Sequence, residues 1–169
     1  MKNADKLLAI SAFIVSICAL VVSIYQTQIL SQEKDASVWP YLRVEQSWGS
    51  NYYILSVNNK GVGPAIIQNM YYQYEDSTFQ YINNLAEYII RQEYSTDMSI
   101  SYDYTNIEPK GTAMIAGESK DILRFRDTPG INERMLKYLQ KVDIFLDYSS
   151  IYNNCWRNDN NEVINLQID

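Results

Sequence analysis

Apolar positions along the chain fall into two regimes. The first is unbroken: Leu7 to Ile24 reads LLAISAFIVSICALVVSI, 18 residues without a charge, set between Lys6 and Tyr25. At ~1.5 Å per residue such a helix is about 27 Å long, enough to cross a hydrocarbon core of ~30 Å with flanking side chains reaching the interface. The exit, Ser23-Ile24-Tyr25-Gln26-Thr27-Gln28, offers no small-x-small cleavage site, so a retained anchor is expected rather than a removed signal. A lipoprotein reading would use Cys18, but Ile17 before it is too bulky. Gln26 to Ala36 holds no Gly or Pro and extends the helix as a stalk, until Trp39-Pro40 stops it. The expected organisation is a tail at 1–6, a transmembrane helix at 7–25, a helical stalk at 26–37 and a β-sandwich domain at 38–169.

From Tyr41 onward the period is mostly two, the mark of half-buried strands. Tyr41 to Trp48 puts Leu42, Val44 and Trp48 on one face, and Trp48-Gly49-Ser50-Asn51 predicts a hairpin to Tyr52–Asn58. Ala65 to Tyr74 predicts a long tyrosine-rich strand. Thr112–Ala116 and Ser119–Phe125, flanking Gly117-Glu118, predict a second hairpin. Val142 to Tyr148 turns Val142, Ile144, Leu146 and Tyr148 inward, and a last strand at Glu162–Ile168 is expected to bury Ile164, Leu166 and Ile168. Ser99 to Ile107 is an ambiguous further strand. Helical spacing appears at Tyr81–Arg91 (Ile82, Leu85, Ala86, Ile89) and at Ile131–Lys141 (Ile131, Met135, Tyr138, Leu139). The expected fold is mainly β: an antiparallel immunoglobulin-like sandwich or partly closed barrel with one or two short inserted helices, preceded by the long transmembrane and stalk helix.

Composition then narrows the chemistry. The chain has 169 residues, 15 tyrosines, no histidine and a net charge of −6. Without histidine there is no Ser-His-Asp or Cys-His pair and no imidazole metal ligand. All of the negative balance lies from Ser37 onward, where no Lys/Arg run appears, so nucleic acid is not an expected partner. Cys155 has no partner in its own domain, because Cys18 sits in the apolar run. Carboxylates are scattered, and Asn158-Asp159-Asn160-Asn161-Glu162 reads as a turn rather than a calcium loop. No enzyme activity, cofactor or metal site is expected.

Within the anchor, Ala9, Ala12, Ser16, Ala19 and Ser23 recur in alternating steps of three and four. Such a stripe of small residues lets helix backbones approach closely in lipid, so self-association is expected there. Lys and Arg are balanced on the two flanks, and the amino group with the nearer Lys6 favours the N-terminus inside and the domain outside. Trp39 and Tyr41 are expected to pack into the domain. Tyr71, Tyr72 and Tyr74 are a candidate binding surface, with at least one exposed.

The stretch Val57-Asn58-Asn59-Lys60-Gly61-Val62-Gly63-Pro64-Ala65 resembles the V-x-N-x-G-x-G-P-A signature of immunoglobulin-like modules in bacterial envelope proteins. As residues, they predict a structural crossover. Asn58 bridges backbone groups at the strand end, Gly61 and Gly63 permit positive φ, and Pro64 opens the next strand. The wider layout, with Ser37-Val38-Trp39-Pro40-Tyr41 and Tyr148-Ser149-Ser150-Ile151-Tyr152 before Trp156, is similar to small bacterial single-pass membrane proteins. That resemblance implies topology and fold, not an activity. The turn Asn153-Asn154 stands where a glycine would be easier.

Two function classes remain. The leading one is a non-catalytic binding or sensing module in the bacterial cytoplasmic membrane. It would be a homo-oligomer through the helix and would recognise an unidentified protein or small molecule. The alternative is a membrane effector or channel-like subunit, as in antiphage defence, with a cytoplasmic domain and with Ser16 and Ser23 lining a path.

Overall fold

The computed structural model describes residues 2–49, 52–93, 100–108, 111–126 and 131–166. The chain divides after Ser37 into two units. The first is one uninterrupted helix, α1 (Lys2–Ser37), which takes in residues 2–6 of the expected tail. Its best 18-residue window has a mean hydropathy of 2.8, and none of that window is buried. It is long and apolar enough to span a membrane.

The second unit is mainly β. Its elements in chain order are β1 (Leu42–Gly49), β2 (Tyr52–Asn59), β3 (Ala65–Tyr74), β4 (Ser77–Phe79), α2 (Ile82–Glu93) and β5 (Tyr102–Tyr104). Then come β6 (Ala113–Met114), β7 (Ser119–Arg126), α3 (Ile131–Leu139), β8 (Asp143–Ser149), β9 (Cys155–Asp159) and β10 (Glu162–Asn165). Antiparallel pairing gives a four-stranded sheet, β1-β2-β7-β5, and a six-stranded sheet, β10-β9-β8-β3-β4 with β6 beside β3. Both sheets and both short helices contribute to one core, which includes Leu42, Tyr53, Leu55, Tyr72, Phe125 and Tyr148.

The period-two reading holds for the stretch that ends in β8, and the helical spacing holds for α2. Val142, Ile144, Leu146 and Tyr148 are all buried, as are Ile82, Leu85, Ala86 and Ile89 on α2. A bulge on β7, where Leu55 pairs Leu123 and Ser56 pairs Asp121, leaves Ile122 as the extra residue. Ile122 and Leu123 are both fully buried, which strict alternation forbids.

Several expectations are corrected. Gly117, at φ 78°, does sit in a turn, with the Glu118 amide donating to the Ile115 carbonyl at 3.1 Å. Its flanks do not pair as a hairpin, however: β6 joins β3 at Ala65 and Ile66, whereas β7 joins β2. The chain crosses between sheets there, because Met114 is drawn fully into the core. Trp48 is 52% exposed although Leu42 and Val44 on the same face are buried, because the strand runs past the core. Trp39 is exposed as well, its ring tilted against that of Tyr41 at 5.5 Å. In β10 it is Val163, opposite the buried Asn158, that is partly covered, and Ile164 turns outward opposite Arg157. The connection at Ser50-Asn51, residues 94–99, Ile168 and the Ile131 side chain lie outside what is described.

Among the described residues, three of the four left-handed positions that are not glycine are asparagines, the fourth being Glu75 at φ 51°. Asn160 (φ 48°) and Asn161 (φ 72°) form the two-residue β9–β10 turn. Asn153 (φ 63°) ends a turn in which its amide donates to the Ser150 carbonyl, and Ser150 Oγ accepts the amides of Tyr152 and Asn154. Asn153 thereby supplies the left-handed geometry that glycine more commonly provides.

Candidate functional site

The crossover between β2 and β3 is organised by Asn59, not by Asn58. Asn59 is 1% exposed, and its Nδ2 donates to the carbonyls of Gly63 (2.9 Å) and Met114 (3.0 Å). Its Oδ1 accepts the amides of Gly61 (3.0 Å) and Tyr41 (3.3 Å). Its backbone completes the junction: the Asn59 amide donates to Glu118 O, and Asn59 O accepts from Gly117 N, both at 2.9 Å. One residue therefore ties together the start of β1, the turn, β6 and β7. Asn58 instead donates to Glu45 Oε2 (2.8 Å) and Ser56 Oγ (3.3 Å).

The two glycines are required for close approach rather than for positive φ, which neither adopts. The amides of Val62 and Gly63 both donate to Trp39 O, at 3.0 and 3.2 Å. A Cβ on Gly61 would collide with the backbone of Trp39 and Tyr41, and one on Gly63 with that of Val38. Pro64 precedes β3 as expected. This loop is a packed structural joint.

The tyrosines separate by face. Tyr72 and Tyr74 are each 2% exposed and belong to the core, so the three do not form a surface row. Tyr71 alone lies on the outer face of the six-stranded sheet, half-buried and stacked on Phe145 at 4.7 Å. Near it, Arg157 makes a two-pronged contact with Asp147, Nε to Oδ1 at 2.7 Å and Nη2 to Oδ2 at 3.0 Å. That hydrogen bond raises the pKa of the guanidinium further.

An open groove of about 840 Å³ runs along the outer edge of β1. Arg43, Gln46 and Trp48 line one side, with Gln140, Asp143 and Asn160 on the other. Asn160 bridges the far wall, Nδ2 donating to Asp143 Oδ1 at 2.8 Å and Oδ1 accepting the Ile144 amide at 3.0 Å. Arg43 makes no ion pair among the described residues. The groove offers main-chain edge groups, a guanidinium and an exposed indole, which suits recognition of an extended polar segment better than bond making.

The stripe in α1 lies on one unbroken helix, so Ala9, Ala12, Ser16, Ala19 and Ser23 are all presented at the exposed surface of the first unit. Ser16 Oγ donates to Ala12 O at 2.8 Å and Thr27 Oγ1 to Ser23 O at 2.9 Å. The Ser16 O–H is thus used within its own helix, while its oxygen stays exposed.

Sequence reasoning missed Asn59, Asn158, Asn161 and the β1 edge. No protein-family model, curated protein or solved structure matches this chain.

Proposed function

We propose that the chain is a non-catalytic, membrane-anchored binding or sensing module of the bacterial cytoplasmic membrane. In this reading the β domain, held outside, recognises a protein or small-molecule partner. The carrying observation is α1 itself, whose large apolar side chains from Leu7 to Ile24 are 46–73% exposed. Lipid is the environment that removes this surface from water at no cost in buried polar groups, since the helix satisfies its own backbone.

The immunoglobulin-like reading of the domain has support in its strand order. The sequence β1-β2-β7-β5 against β9-β8-β3-β4 corresponds to strands A-B-E-D facing G-F-C-C′. β10 then extends the second sheet, and the two short helices fall in connections.

The small-residue stripe supports a homo-oligomer. Leucine at both Ala12 and Ala19 is expected to lower self-association of the full chain in vesicles; an unchanged oligomer size would eliminate the seam. A reporter fused after Asp169 and active on one side of the membrane only tests the placement. An external signal is expected, and a cytoplasmic one would overturn it in favour of the effector.

A further inference from the structure

The parity of β1 follows from three hydrogen bonds. Lys60 N donates to Tyr41 O at 2.8 Å, so Tyr41 faces β2. Leu42 O accepts Asn158 Nδ2 at 2.7 Å and Val44 N donates to Asn161 Oδ1 at 2.9 Å, so these two residues face the outer edge. Antiparallel pairing alternates strictly, and Gln46 and Trp48 must therefore direct both N–H and C=O away from β2. Two asparagine side chains imitate a neighbouring strand along the first half of the edge. Along the second half, the four groups of Gln46 and Trp48 meet no partner among the described residues. This stretch is also the side of the groove carrying the exposed Trp48.

We propose that this edge pairs with the same edge of a second copy, in a two-fold antiparallel register centred on Ser47. In that register Gln46 opposes Trp48 of the second copy, and Trp48 opposes its Gln46. All four vacant groups on each copy are used, and Val44 N, already held by Asn161, is left out. The charges permit it: Glu45 faces Gly49 of the second copy rather than another acid, and its carboxylate is already paired with Lys60 Nζ at 3.3 Å. The Gln46 amide both donates and accepts, so it complements the indole N–H and main chain set against it. A single peptide strand would satisfy one copy; the two-fold satisfies both at once.

The test uses the full chain in vesicles at high lipid excess, with Cys18→Ala and Cys155→Ser as background. Ser47 is exposed and forms the non-hydrogen-bonded pair at the centre, with Cα atoms ~4.5 Å apart, within disulfide reach. Position 45 meets its own copy only across four residue steps, roughly 13 Å. Under copper–phenanthroline oxidation Ser47→Cys is expected to give at least about tenfold more linked dimer than Glu45→Cys. Gln46→Pro removes an outward N–H without touching the β1–β2 ladder, and should suppress the Ser47→Cys link. The link should persist when Ala12 and Ala19 are leucine. Equal linking at 45 and 47, indifference to Gln46→Pro, or loss in the leucine background would each overturn the pairing, the last by assigning association to the helix.

Discussion

Asn59→Ala is expected to lower the stability of the β domain by about 3–5 kcal/mol, a large part of a typical margin of ~5–15 kcal/mol. The side chain makes four hydrogen bonds to backbone groups of three segments: the start of β1, the β2–β3 turn and β6. Truncation strands the carbonyls of Gly63 and Met114 and the amides of Gly61 and Tyr41, and an unmatched buried group costs about 1–3 kcal/mol. Part of the penalty is relieved where Tyr41 reaches water. The neighbouring Asn58→Ala, on the interior strand β2, removes contacts to Ser56 and to Glu45, whose 39% exposed carboxylate can turn to water, and is expected to cost less than about 1.5 kcal/mol. Urea unfolding of the full chain in micelles, followed by tryptophan fluorescence, measures both. Equal costs at 58 and 59 would contradict the role given to Asn59.

The second large effect is alkaline unfolding. Burial raises the phenol pKa of Tyr53 and Tyr72 far above the usual value and pushes Tyr148 up to about 12, in its case against a weaker opposing contact with the Leu42 backbone. Each of these phenols keeps its proton in the folded domain and releases it near pH 10 when unfolded. Above pH 10 the unfolded state therefore binds fewer protons, and stability falls as pH rises; below pH 10 these groups leave it unchanged. Tyr53 and Tyr72 each contribute a slope of about 1.4 kcal/mol per pH unit, with Tyr148 adding to it up to its own pKa. A domain of ordinary stability should unfold within about three units above pH 10. Tyr53→Phe is the informative variant. The Tyr53 hydroxyl has no hydrogen-bond partner among the described residues, so its loss should be neutral or stabilising at pH 7 and should make the alkaline decline shallower. An unchanged slope would contradict this assignment.

The helix, the long strands and the two inserted helices were legible because each carries a complete local signal. α1 holds an uncharged run from Leu7 to Ile24, β8 buries every second residue from Ile144 to Tyr148, and α2 repeats at helical spacing. Asn59 was half legible: it is the asparagine of the V-x-N-x-G-x-G-P-A pattern, but strand-end reasoning fell on Asn58, and only the packing of β6 and β7 against the turn separates them. The roles of Gly61 and Gly63 were misassigned for a related reason. A glycine needed for space looks in sequence like one needed for positive φ, until Val38 and Trp39 are placed beside it. The Gly117 turn was legible, and the destinations of its flanks were not, since partner choice depends on where Met114 finds the core. The β1 edge left no trace in the sequence. Its vacancy follows from Asn158 and Asn161, more than a hundred residues away in the chain, reaching only half of it.

Carbonate extraction of native membranes at about pH 11 tests the anchor most directly. At that pH the tyrosine-rich domain is losing stability, and proteins held only by charge or by a folded partner are released. The unbroken apolar helix should keep the whole chain, starting before Leu7, in the membrane pellet. Recovery in the supernatant, or of native material that begins beyond Tyr25, would contradict the proposal.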